Sequence, residues 1–219
     1  MTVLVKICGL NSPMAADAAL KAKADFGGLV FFPKSPRHVG LDQARALAGQ
    51  LRGKLRIVTL LVDPTDQAVD EAVKAVLPDF IQLHGNETPQ RVAEIATRAE
   101  RPIIKAIPIA ETADVARAHF YSEVAEYYLF DAKADITATR PGGLGAAFDW
   151  KLISGAIFAR PWGLAGGLTP ENVARAIAIA KPAFVDASSG VEDEAGKKSR
   201  EKIAAFVNAA RNAPYTDAT

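Results

Sequence analysis

The chain has 219 residues, 49% of them hydrophobic and 23% charged, enough apolar material for a sizeable core in one large domain or two small ones. With 26 Lys plus Arg against 25 Asp plus Glu, the formal net charge is +1. That balance offers no overall basic field for nucleic acid or anionic lipid, so an anion site must be local. No stretch approaches the roughly 20 apolar residues that span a bilayer, and the amino terminus lacks the pattern of a signal peptide. The expected location is the cytoplasm, with no membrane and no nucleic-acid partner. The one cysteine, Cys8, has no partner for an internal disulfide.

In chain order, 3–8 is an apolar run ending at Gly9, and Asn11 or Ser12, followed by Pro13, opens an alanine-rich helix to Ala24. Residues 27–32 form a second strand, followed by the polar loop 34–38 and a helix over 41–51. Strand 56–62 stops at Asp63-Pro64, and Thr65 caps a helix to Val76. Strand 79–83 ends at His84-Gly85, with Thr88-Pro89 opening a helix to Thr97. Strand 102–107 precedes a less regular helix over 111–124. Strand 126–130 ends at Asp131. An irregular, glycine-rich stretch, 132–148, and a short helix at 149–154 follow. Strand 162–165 runs into Gly166-Gly167, and Thr169-Pro170 caps a helix over 171–180. Strand 183–187, a loop over 188–198, a helix over 200–210 and a loose polar tail from 212 complete the chain.

Eight strand-plus-helix units with strands rich in Val, Ile, Leu and Phe predict an α/β fold, a (β/α)8 TIM barrel of the phosphate-binding type, as one domain over 1–219. A doubly wound open sheet is the alternative. In a barrel, function lies at the carboxyl ends of the strands. Those ends carry Cys8, Arg37, Gln82 and His84, Asp131, Asp186 and small residues after the last two strands.

Gly166, Gly167, Ser188, Ser189 and Gly190 fit a phosphate cradle of backbone N–H groups, although glycines also serve ordinary turns. Gly143 and Gly145 can close it from the side. Cys8 and Asp131 end the first and sixth strands, across the barrel mouth from each other, which suits an acid and base pair; Cys8 as core filler is the competing account. A thiolate there needs Lys6, Lys105 or N–H groups beside it. Arg37 reads as a carboxylate-recognition residue or a solvated one. Three histidines without a spaced partner set make a metal site unexpected, and no dinucleotide or nucleoside triphosphate motif is present.

Along nearly its whole length the chain resembles the phosphoribosylanthranilate isomerase family of tryptophan biosynthesis. The resemblance rests on VKICG at 5–9, KSPR at 34–37, IQLHGNE at 81–87, IKAI at 104–107, LFDAK at 129–133, GGLGAAFDW at 142–150, LAGGLTPENV at 164–173 and VDASSGVEDEAGKK at 185–198. It implies a cofactor-independent Amadori rearrangement of N-(5-phosphoribosyl)anthranilate, in a monomer or homodimer that binds a phosphorylated small molecule carrying an anthranilate group. It also implies Cys8 as base, Asp131 as acid, Arg37 at the anthranilate carboxylate, and the late glycines and serines at the phosphate. Asp131 would be kept protonated by partial desolvation, and opposite protonation states for acid and base imply a bell-shaped pH profile. Asp186 would hold a ribose hydroxyl or orient its neighbours. Leu144 stands where the family usually has threonine, and Ser199 where aspartate is frequent, at a helix cap that serine can serve equally. Competing readings are the related histidine-pathway isomerisation, which uses aspartate at the Cys8 position, and a non-catalytic phospho-ligand barrel.

Overall fold

The computed structural model describes residues 2–132 and 148–214. The predicted site residues Gly143 and Gly145, the departure at Leu144 and the last five residues of the tail lie outside them. Eight strands close into a parallel barrel in sequential order: β1 (Leu4–Cys8), β2 (Phe26–Phe31), β3 (Arg56–Leu61), β4 (Phe80–Leu83), β5 (Ile103–Ile109), β6 (Tyr127–Ala132), β7 (Trp162–Leu164) and β8 (Phe184–Ala187). Closure comes from β8 pairing with β1, with Lys6 beside Asp186. The open-sheet alternative is thereby excluded.

Helices α1 (Pro13–Lys21), α2 (Leu41–Leu51), α3 (Asp66–Val76) and α4 (Pro89–Ala99) follow the first four strands. The hydroxyls of Ser12, Thr65 and Thr88 each accept a first-turn N–H, as their positions before α1, α3 and α4 predict. The fifth unit departs from the expected helix. A short α5 (Thr112–Ala116) tightens into a 3₁₀ segment over Arg117–Tyr121. The three-residue repeat brings Ala118 and Tyr121 onto one buried face, and the Tyr121 hydroxyl donates to the Glu87 carbonyl at 2.9 Å. In the sixth unit the described helical structure is one 3₁₀ turn, Trp150–Leu152, in place of the expected 149–154 helix.

Helix α6 spans Val173–Ala180, starting two residues later than the proline suggests. Asn172 is the reason: its carboxamide accepts from Thr169 N–H at 2.8 Å and donates to the Gly167 carbonyl at 2.8 Å, so 169–172 forms a turn belonging to the loop. The 188–198 loop contains a small antiparallel hairpin, β9 (Glu192–Glu194) with β10 (Lys197–Lys198), that sequence reading does not anticipate. Before α7 (Arg200–Arg211), Ser199 occupies the cap position, but its hydroxyl donates to the Glu201 carboxylate at 3.1 Å and caps no N–H. The expectation that serine there serves as aspartate would is therefore not met. Asn212 is tied back to Asn208, so the start of the tail is anchored.

The core has a shell and an interior. Val5 and Ile7 belong to the strand–helix shell, while the alternate residues Lys6 and Cys8 point inside. Leu4, Phe26, Phe80, Tyr127 and Phe184 fill the lower end, with ring centroids 5.7–5.9 Å apart. Gly163 is required there, since a Cβ would overlap the Phe184 ring. A packed lower end leaves the upper end as the place where a ligand can enter.

Candidate active site

One pocket at the upper end is lined by Cys8, Arg37, Gln82, His84, Asp131, Gly166, Gly167, Asp186, Ser188, Ser189 and Gly190. Every predicted site residue among the described ones is in that set. Its volume is about 680 Å³ including the open mouth. Sequence reading missed its apolar wall. Val30, Phe32, Leu60 and Val62 gather around Cys8, a surface suited to an aromatic ring. Alternation along β2 and β3 already placed Val30 and Leu60 on the interior face, a usable signal.

Glycines decide how closely the site groups approach. Gly28, the register partner of Cys8, would hold a Cβ 2.9 Å from the Cys8 sulfur. Gly166, at φ +83°, lies against Asp131, where a Cβ would clash with Ala132 N and stand 2.9 Å from Asp131 Oδ1. Both close approaches follow from backbone placement, which no sequence motif encodes.

Lys6 is fully buried and donates to Asp186 Oδ2 at 2.7 Å. Burial pulls the Lys6 ammonium toward deprotonation, but attraction to Asp186 and Cys8 outweighs it and its pKa is raised. Cys8 is pushed up by burial, with Lys6 and Lys198 opposing and Asp186 adding to the rise. Asp186 is likewise raised by burial against the pull of Lys6. One ammonium therefore serves two groups that can become anions, and the second negative charge is the costly one. Asp186 Oδ1, buried on the pocket wall, has no hydrogen-bond partner among the described residues.

Of the two lysines considered for the thiol, Lys6 is the one in reach. Lys105 points away from the pocket, donating to Glu87 at 2.8 Å and to the Gly85 carbonyl at 2.8 Å. Glu87 in turn accepts from the N–H groups of Asp63 and Gly85. This buried knot fixes the loop that carries His84. Lys105, within β5, and Asp63, just past β3, thus act in the loop's structure.

His84 bridges two site residues. Gln82 Nε2 lies 2.9 Å from His84 Nδ1, and His84 Nε2 lies 3.1 Å from Asp131 Oδ2. Gln82, His84 and Asp131 are thereby linked in one chain of polar contacts.

Arg37 is 4% exposed and makes a bidentate pair with Glu192, Nε to Oε1 at 2.7 Å and Nη2 to Oε2 at 2.8 Å. The expected solvent-facing alternative for Arg37 is excluded. Its stem packs over Gly9, where a Cβ would come within 2.6 Å of Arg37 Cδ. Glu192, absent from the predicted set, is the partner of this residue, and Lys198, also absent from it, pairs with Glu192.

The loops after β7 and β8 press together. Gly190 accommodates the Leu168 carbonyl where any Cβ would overlap it, and Gly166 and Gly167 both have positive φ. Ser188 Oγ donates to the Cys8 carbonyl at 3.2 Å, joining the β8 loop to the end of β1.

Comparison with known proteins gives a consistent result. A family model described as N-(5'phosphoribosyl)anthranilate (PRA) isomerase matches residues 5–209. An N-(5'-phosphoribosyl)anthranilate isomerase of Rhodopseudomonas palustris (strain BisA53) is 50% identical over 211 residues, covering 96% of this chain and 97% of that protein. Among solved structures, phosphoribosyl anthranilate isomerase from Thermotoga maritima superposes with a TM-score of 0.86 at 35% identity, covering 95% of this chain and 98% of that one. A phosphoribosyl anthranilate isomerase in complex with reduced 1-(o-carboxyphenylamino)-1-deoxyribulose 5-phosphate superposes with a TM-score of 0.81 at 32% identity, covering 95% and 98%.

Proposed function

The chain belongs to the N-(5'-phosphoribosyl)anthranilate isomerase family, and on that premise we propose that Cys8 is the base and Asp131 the acid of its reaction. The reaction is the Amadori rearrangement of N-(5-phosphoribosyl)anthranilate to 1-(2-carboxyphenylamino)-1-deoxyribulose 5-phosphate in tryptophan biosynthesis. The observation that carries the assignment is that Cys8 of β1 and Asp131 of β6 line one pocket together with both glycine and serine loops.

Asp131 donates a proton to the ribose ring oxygen as the C1–O bond breaks, leaving an iminium between C1 and the anthranilate nitrogen. His84 Nε2 stands 3.1 Å from Oδ2, and Oδ1 lies on the Gly166 side. The Cys8 thiolate then removes the C2 proton, acidified by the iminium, and the enolamine tautomerises to the ketone. The proton lost by Asp131 and the one gained by Cys8 balance over the cycle.

Lys6 supplies the positive charge that a buried thiolate needs. The phosphate is assigned to the backbone of Gly166, Gly167, Ser189 and Gly190, with the Ser188 hydroxyl at the rim. The anthranilate ring is assigned to the Val30, Phe32, Leu60 and Val62 wall, its carboxylate to Arg37, and a ribose hydroxyl to Oδ1 of Asp186. A base that must stay a reduced thiol fits the cytoplasm. We further propose that residues 1–219 form a single barrel domain, as monomer or homodimer.

Loss of the adduct's anthranilate fluorescence measures turnover. C8A and D131N are each expected to lose at least about 10²-fold in kcat. Near-normal turnover in either one would remove that residue from its role.

A further inference from the structure

Arg37 presents a physical problem to the reading above, on which this inference rests. A guanidinium meant for a substrate carboxylate is already paired, through two of its three nitrogens, with a protein carboxylate. An isolated Arg37–Glu192 pair is neutral and would offer an incoming anion little attraction.

The β9–β10 hairpin resolves it. Lys198, 3% exposed, donates to Glu192 Oε1 at 2.6 Å and to the Ser188 carbonyl at 3.1 Å. Gly196 N–H donates to Glu192 Oε2 at 3.1 Å, so the Glu192 carboxylate has four donors and is fixed in place. Gly196, at φ +82°, packs so closely on the Pro36 carbonyl that a Cβ would stand 2.5 Å from it. The hairpin is thereby seated on the loop that carries Arg37. Arg37, Glu192 and Lys198 together carry a formal charge of +1.

We propose that Glu192 and Lys198 are positioning residues for recognition of the substrate's aryl carboxylate: Glu192 aims the Arg37 guanidinium so that Nη1 faces the pocket, and Lys198 restores the positive charge that Glu192 cancels. The Nη1 nitrogen is the one Glu192 does not take. Charge and aim are thus assigned to different residues, which makes them separable by experiment. A hairpin serving only as a structural tie would stabilise the fold without any dependence on what the substrate carries.

The test compares two substrates with the full chain: phosphoribosylated anthranilate, and phosphoribosylated aniline, which lacks the carboxylate. The readout is the ratio of their kcat/KM values, in which any influence of Lys198 on Cys8 cancels. K198M leaves a neutral Arg37–Glu192 pair and is expected to lower the ratio about tenfold through a higher KM for the anthranilate adduct. E192Q keeps both cations but loses the bidentate clamp, and is expected to lower the ratio about tenfold through kcat, because the carboxylate is bound but misplaced. Each variant tests the proposal without the other, so failure of one to fold leaves it falsifiable. Equal losses on both substrates, or an unchanged ratio in either folded variant, would overturn it. R37M separates the underlying reading: an unchanged ratio there refutes the carboxylate role of Arg37 itself. A lowered ratio in R37M with none in K198M or E192Q refutes only the proposal about the hairpin.

Discussion

Replacing Asp186 by asparagine should make Cys8 more reactive. Asp186 and Cys8 share Lys6, whose ammonium is 2.7 Å from Asp186 Oδ2, and both acidic groups are raised by burial. Asparagine keeps the shape and an acceptor for Lys6 but removes the negative charge. Two unit charges about 5 Å apart at an effective dielectric of about 20 repel by about 3 kcal/mol, so loss of the Asp186 charge should raise the thiolate fraction at neutral pH by up to about 100-fold. A less basic thiolate is also a weaker nucleophile, which cuts the gain in alkylation rate to about tenfold. Iodoacetamide modification followed by intact mass reads this directly, because Cys8 is the single cysteine. The assay does not depend on turnover, which D186N can lower for other reasons. An alkylation rate equal to or below wild type across pH 6–9, on the order of the range where a thiol titrates, would refute the shared-counterion account.

Stability should also report the Cys8 thiol. Its folded pKa lies above the ordinary value of 9.0, so the folded state keeps a proton that the unfolded chain has lost. The stabilisation tied to that proton is complete below pH 9.0 and declines as pH rises through the folded pKa. Relative to C8A, the wild type should lose up to about 1.4 kcal/mol per pH unit in that alkaline window, measured by urea unfolding; parallel pH curves would contradict it. Gly166→Ala forces a Cβ into Ala132 N and beside Asp131 at positive φ. It should cost about 1–3 kcal/mol in stability and at least about tenfold in kcat, checked by thermal melts and turnover. If kcat is retained, Asp131 does not depend on that close approach.

The motif residues and the eight-unit rhythm made the barrel, the upper-end site and most of its lining legible from sequence. The reason is local. Strand periodicity puts Cys8, Asp131 and Asp186 on interior positions at strand ends, and parallel strands joined by helices have few ways to close. Caps at Ser12, Thr65 and Thr88 were readable because each involves a side chain and an N–H three residues away. The helical segments of the fifth and sixth units were not, since burial of Ala118, Tyr121 and Trp150 overrides weak local preference.

What only tertiary structure decided is which charges face each other. Lys6 and Asp186 are 180 residues apart, Arg37 and Glu192 are 155 apart, and neither pairing follows from composition or spacing. Sequence offered two lysines for Cys8 and could not choose, because the choice depends on strand register and on which face of the barrel wall each side chain takes. Register set Lys6 inside beside Asp186 and turned Lys105 out toward Glu87. The residue types at the site were thus determined along the chain, while their electrostatics arose from closing the barrel, which brings buried charges together where water no longer screens them.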